Sequence, residues 1–134
     1  MNLTMIRIWG VLIVAFAAGT AGCRKQGPER YRMSGTISFA GRPVPSGMIS
    51  FEPAEKGIGG GFAPIVNGTY DTDRTGRGHL GGEHTVQIAG FEGVRDPSDP
   101  DSPAVPMFKP ITFTEDLPKE STTRDFALPM DAAP

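Results

Sequence analysis

His79 and His84 are the only histidines in a chain of 134 residues, and three carboxylates, Asp71, Asp73 and Glu83, stand near them in sequence. Imidazole and carboxylate donors at short spacing are the raw material of a zinc or calcium site. The run Asp71-Thr72-Asp73-Arg74-Thr75-Gly76 opens like a calcium loop, but it lacks a third oxygen ligand at the next step and a Glu at the bidentate position. Turns ask for Asp and Gly in any case. The expectation is therefore no metal and no cofactor. Nucleophilic chemistry has little to work with: no serine lies in a Gly-x-Ser-x-Gly elbow. The one cysteine, Cys23, closes an apolar segment.

That segment sets the first expectation about place. Met1 to Arg7 carries one positive charge and no acid, and Ile8 to Gly22 is apolar or small apart from Thr20. A charged start, a short apolar stretch and small residues ahead of a cut describe a secretory signal peptide. The stretch falls short of the roughly 20 residues a membrane-spanning helix needs. Residues 1–22 are expected to be the signal, and the protein is expected outside the cytoplasm.

Thr20-Ala21-Gly22-Cys23 resembles the end of a bacterial lipoprotein signal, in which small residues precede an invariant cysteine. The resemblance implies a diacylglyceryl group on the Cys23 thiol, cleavage just before it, and a membrane partner through the acyl chains. Two or more chains hold stably, at about 0.8 kcal/mol per buried CH₂. Thr20 stands where that family prefers Leu. The alternatives are an ordinary signal peptide with a free cysteine nearby, or an N-terminal anchor that is not cut.

Cleavage before Cys23 would remove 22 of the 134 residues and leave 112, enough for one domain. Arg7 is the only charge lost, so 12 basic residues would face 15 acidic ones. That balance offers no basic face to nucleic acid. A single cysteine forms no internal disulfide, so the fold must stand on its apolar core. Eighteen glycines and 13 prolines argue for short strands and turns over long helices.

Residues 23–30 are polar and aperiodic and are expected to be a tether. Met33, Gly35, Ile37 and Phe39 then alternate with polar residues, as a half-buried strand does. After a turn at Ala40-Gly41-Arg42-Pro43, Gly47, Ile49 and Phe51 alternate again, and the two runs are expected to pair as a hairpin. Glu55 to Phe62 is glycine-rich and expected to be a flexible loop. Pro64 marks the strand Ala63–Val66 as a sheet edge, and Asn67-Gly68 is the favoured pair for a type I′ turn into Thr69-Tyr70-Asp71. His84 to Phe91 forms the next strand, with Val86 and Ile88 inward. Glu92 to Pro110, with five prolines, is expected to be a long exposed loop. Ile111–Thr114 and Thr122–Leu128 close the domain, and 130–134 is a tail. The expected fold is all-β, a seven-stranded antiparallel sandwich over 31–129. Its expected core is Ile37, Phe39, Ile49, Phe51, Ile65, Tyr70, Val86, Ile88, Phe113, Phe126 and Leu128.

The run from Ser34 to Pro53 resembles the opening of a carboxypeptidase regulatory-like domain, a transthyretin-like β-sandwich. Asn67-Gly68-Thr69-Tyr70 and Gly81-Gly82-Glu83-His84-Thr85-Val86-Gln87-Ile88 resemble its later strands, with His84 where Tyr is commoner. The close, from Leu117-Pro118 to Leu128-Pro129, is similar to that of small lipoproteins built as one such domain. The resemblance implies the fold and no catalytic residue, because sandwich function lives in loops. Transthyretin-like hydrolases end in Tyr-Arg-Gly-Ser, whereas this chain ends in Asp-Ala-Ala-Pro.

The functional expectation is a lipid-anchored, non-enzymatic protein of the cell envelope with a structural or protein-binding role. Contacts would fall on the exposed Gly57–Phe62 and Glu92–Pro110 loops. The alternative is a polysaccharide-binding module presenting Phe62, Phe91 and Phe108. Against that stands a simpler role for Phe91 and Phe108 as caps of the core.

Overall fold

The computed structural model describes residues 22, 27–93, 98, 99, 101 and 103–132. The segment 1–22 expected to be a signal, apart from Gly22, and Cys23, where lipidation is expected, lie outside them. Within them the chain is all-β: β1 Met33–Phe39, β2 Arg42–Pro43, β3 Ser46–Pro53, β4 Gly61–Val66, β5 Thr69–Asp71, β6 Gly82–Glu92, β7 Val105–Pro106, β8 Ile111–Leu117, β9 Thr122–Thr123 and β10 Phe126–Leu128. A single 3₁₀ turn, Met130–Ala132, begins the tail. The strands make one hydrogen-bonded sheet that curls into a half-barrel. Its main path of seven strands runs β10-β1-β5-β4-β3-β6-β7, and β8 lies beside β7 on the outer edge of β6.

Alternation explains the curl. Met33, Ile37 and Phe39 of β1, Ile49 and Phe51 of β3, Ala63 and Ile65 of β4, and Val86 and Ile88 of β6 are all buried, while the residues between them face outward. A sheet with one apolar face needs cover, and among the described residues that cover is the sheet itself. The free edges of β8 and β10 approach each other across the open side. Phe113 meets Phe126 there at 5.7 Å between ring centroids, and Arg124 bonds Glu115 at 2.7 Å. Ten of the eleven expected core residues are buried; Phe113, in this seam, is partly so.

Three expectations are corrected. β1 and β3 are not paired. The tight hairpin is β1–β2, turning at Ala40 and Gly41 with φ of +50° and +76°, and the β4–β5 hairpin lies between β1 and β3. Pro43 and Pro45 have no N–H to extend a ladder. Between them Val44 donates to the Ile37 carbonyl and its own carbonyl accepts from Gly68, which locks the second hairpin in place. The closing strands β9 and β10 run parallel to β1, not antiparallel. The glycine-rich segment before β4 is held: Arg30 donates to the carbonyls of Gly59 and Gly78, and Arg77 donates to that of Gly60.

The Arg124 carbonyl sits over Gly35, accepting the Tyr70 hydroxyl at 2.7 Å, and a β-carbon on Gly35 would fall 2.0 Å from that oxygen. Gly35→Ala is expected to lower stability by about 2 kcal/mol through this forced separation. Urea unfolding checks it; an unchanged midpoint would contradict the packing described.

Candidate functional site

Pro64 shapes a groove in the outer surface of the sheet. In β4, Phe62 uses both backbone groups to bridge Arg77, on the side away from β3, and Val66 pairs with Thr69 on that same side. Pro64 lies midway between them and has no N–H to offer, so β4 and β5 pair at a single position and then part. The expected sheet edge is corrected: β4 lies inside the sheet, between β5 and β3, and Pro64 interrupts only its pairing with β5. A groove of about 750 Å³ opens there, with Pro64 and Val66 on one wall, Thr69, Asp71, Arg74 and Thr75 on the other, and Gly35 and Tyr70 also lining it.

The apolar wall continues across the outer face. Register places Pro64, Met48 and Ala89 side by side, and Val66, Ser46 and Phe91 in the next row. Phe62 is 41% exposed, Met48 42% and Val66 54%. Outward apolar side chains on three adjacent strands form a patch of the kind that marks a contact surface. Arg74 and Arg77, both exposed, edge it beyond β4.

The aromatic candidates separate. Phe62 and the half-buried Phe91 share this outer face, roughly 16 Å apart by strand spacing and rise. Phe108 is 1% exposed and packs on Phe39 at 5.1 Å, in the space left by the absent side chain of Gly90. It is a core residue and presents nothing to a ligand. The loop expected over Glu92–Pro110 is corrected with it: Val105–Pro106 pair with β6, and Met107 and Phe108 turn inward.

The five candidate metal-binding side chains also separate. His79 and His84 are buried in the core, rings edge to face at 5.9 Å. Asp71 faces outward in a two-bond pair with Arg32, whose Nε donates at 3.0 Å, and Asp73 lies at the rim of that pair. Glu83 is exposed on the outer face. Among the described residues, no three His, Cys, Asp or Glu side chains group as metal ligands.

Each buried imidazole is placed by nearby backbone. His84 donates through Nδ1 to the Gly82 carbonyl at 2.9 Å, and its Nε2 faces the Leu80 N–H. His79 accepts the Gly81 N–H through Nδ1 at 3.0 Å, which puts its proton on Nε2, an atom with no hydrogen-bond partner among the described residues. Burial, and then His84, hold the His79 imidazole down at about 4 from an ordinary 6.5. The Arg32 hydrogen bond keeps the Asp71 carboxyl at about 2. Tyr70 is pushed up by burial and by Asp125. These groups serve the core and its rim.

No protein-family model, curated protein or solved structure matches the chain. The residues that sequence reasoning missed are Met48, Val66, Arg74 and Arg77. The outward half of the β3 and β4 alternation was the signal for the first two.

His79 gives a pH prediction. Between about 6.5 and 4 the unfolded chain binds a proton that the folded one refuses, so stability is full above that window and is lost as pH falls through it. The loss is on the order of 3 kcal/mol. His79→Asn, which keeps an acceptor for Gly81, is expected to flatten urea midpoints across the window. Parallel pH profiles for parent and variant would contradict the assignment.

Proposed function

We propose that the chain is a lipid-anchored, non-enzymatic protein of a bacterial cell envelope, facing outside the cytoplasm. Its body would be a transthyretin-like β-sandwich whose role is structural or protein-binding. The observation that carries this reading is Cys23 itself, one thiol after small residues at the end of a short apolar stretch, only a few residues ahead of the folded body. Opposed inner faces in the curled sheet support the two-layer arrangement. The tight entry of the chain supports a domain carried close to its anchor: Tyr31 exchanges backbone hydrogen bonds with His79, and Arg30 is clamped to Gly78.

The two loops expected to meet a partner lie at opposite ends. The first, Gly57–Phe62, runs into the start of β4 beside the entry point. The second, Glu92–Pro110, has its described residues Glu92, Gly93 and 105–108 at the far end of β6, the end that also carries the Ala40-Gly41 and Asn67-Gly68 turns. In this reading the β6 side of the far end, around Glu92 and Val105, is the part that reaches a protein partner.

Polysaccharide binding is the second reading, favoured by the shared face of Phe62 and Phe91. Binding on a glycan array that disappears in both Phe62→Ala and Phe91→Ala, but persists in Val105→Ala, would select it.

The anchor is tested by metabolic labelling with radioactive palmitate and membrane fractionation. The parent is expected to take label and sediment with membranes, and Cys23→Ser to lose both. A Cys23→Ser protein retained as fully as the parent would contradict the proposal.

A further inference from the structure

We propose that the row Phe62, Pro64 and Val66, with Met48 behind it, rests on the bilayer that receives the lipid of Cys23. This inference rests on the lipid-anchor reading. The first support is where the tether leaves the body. Arg30 donates to the Gly78 carbonyl at 3.0 Å and to Gly59 at 3.2 Å, while Arg77 donates to Gly60 at 2.8 Å. Phe62, two residues beyond Gly60, bridges Arg77 through its own backbone. Arg30 is therefore held beside the Phe62 end of the row, and Pro28 and Glu29 pass on along Pro53 and Glu83 at the same end of the sheet.

The second support is reach. Six residues lie between Cys23 and Arg30, and the seven steps span at most about 25 Å when fully extended. A lipid at Cys23 would hold Arg30, at the entry end of the sheet, within about that distance of the membrane surface.

The third support is the chemistry of the surface. Phe62, Met48 and Val66 are exposed, and the cations edging them, Arg74 and Arg77, lie along the β4 side. Apolar side chains at the acyl boundary, with guanidinium groups beside them to meet lipid phosphates, make an interfacial contact. Of the acids of this face, Glu52 and Glu83 project from β3 and β6 near the entry end, while Asp71, across the groove from Pro64, and Asp73 are paired with Arg32. The contact thus tilts toward the β4 edge and leaves β6 and β8 facing away.

Tryptophan fluorescence reads the orientation. Trp9 is the only natural tryptophan and precedes Cys23, so a tryptophan introduced into the processed protein reports alone. Full-length Phe62→Trp and Ala127→Trp proteins are expressed and processed, mass spectrometry confirms the lipid on Cys23, and each is reconstituted into vesicles. The vesicles contain phosphatidylethanolamine, phosphatidylglycerol and a phosphatidylcholine brominated on its acyl chains. Ala127 is exposed on β10, at the far edge of the sheet. The Phe62→Trp emission is expected to shift to the blue and lose most of its intensity to bromine, and the Ala127→Trp emission to do neither. Cosedimentation without quenching at position 62, or with equal quenching at both positions, overturns the membrane-facing row and leaves the anchor intact. Absence of lipid and of cosedimentation overturns the anchor, and this inference with it.

Discussion

A single sheet with one apolar face must find cover for it, and here the cover is the sheet's own far side. Everything else follows from that constraint. The curl brings β8 toward β10, and the two free edges are joined by side chains instead of backbone bonds: Phe113 against Phe126, and Glu115 with Arg124. Phe51, Tyr70 and Phe126 form a chain of ring contacts from β3 across the interior to this seam. The parallel docking of β9 and β10 on β1 supplies the last wall, and it requires the bare backbone at Gly35.

Spending every inward position on this enclosure leaves the outer face to do whatever else the molecule does. Most of that face is threonine, serine, glutamine and charge, the solvated half of an alternating strand. The exception is the β3–β4 region, where Met48, Phe62 and Val66 point out beside a groove that exists because Pro64 lacks one hydrogen. The same end of β4 is where the chain enters the body, fixed by arginine bonds to successive glycine carbonyls. Entry point and apolar row thus coincide in space, although residue 30 and residue 62 are far apart in sequence.

Period-two patterning made the strands legible. Met33 to Phe39, Ile49 and Phe51, and Val86 and Ile88 all fall inward as alternation requires, and Asn67-Gly68 turns with φ of +49° and +76°. Pairing was not legible, because alternation says which face a residue takes and nothing about its neighbour. β1 and β3 look like a hairpin until Val44 is seen to bond Ile37 and Gly68. Phe108 was hidden for a different reason. Five prolines dominate its loop, and the clue to its burial was Gly90, a strand glycine marking a close approach from elsewhere. The arginine clamps could not be read at all, since carbonyls held by a distant side chain leave no local pattern. Of the candidate surface, Phe62 was legible as an exposed ring, and its partnership with Met48 and Val66 needed the register.

Native-state hydrogen exchange on Phe126→Ala tests the self-covering sheet most directly. If the seam joins the two edges into one core, removing that ring speeds exchange of the β6 and β8 amides about as much as those of β1 and β10. Acceleration confined to β1 and β10, with β6 and β8 unchanged, would mean that the two edges stand independently and that the curl is not what holds the fold together.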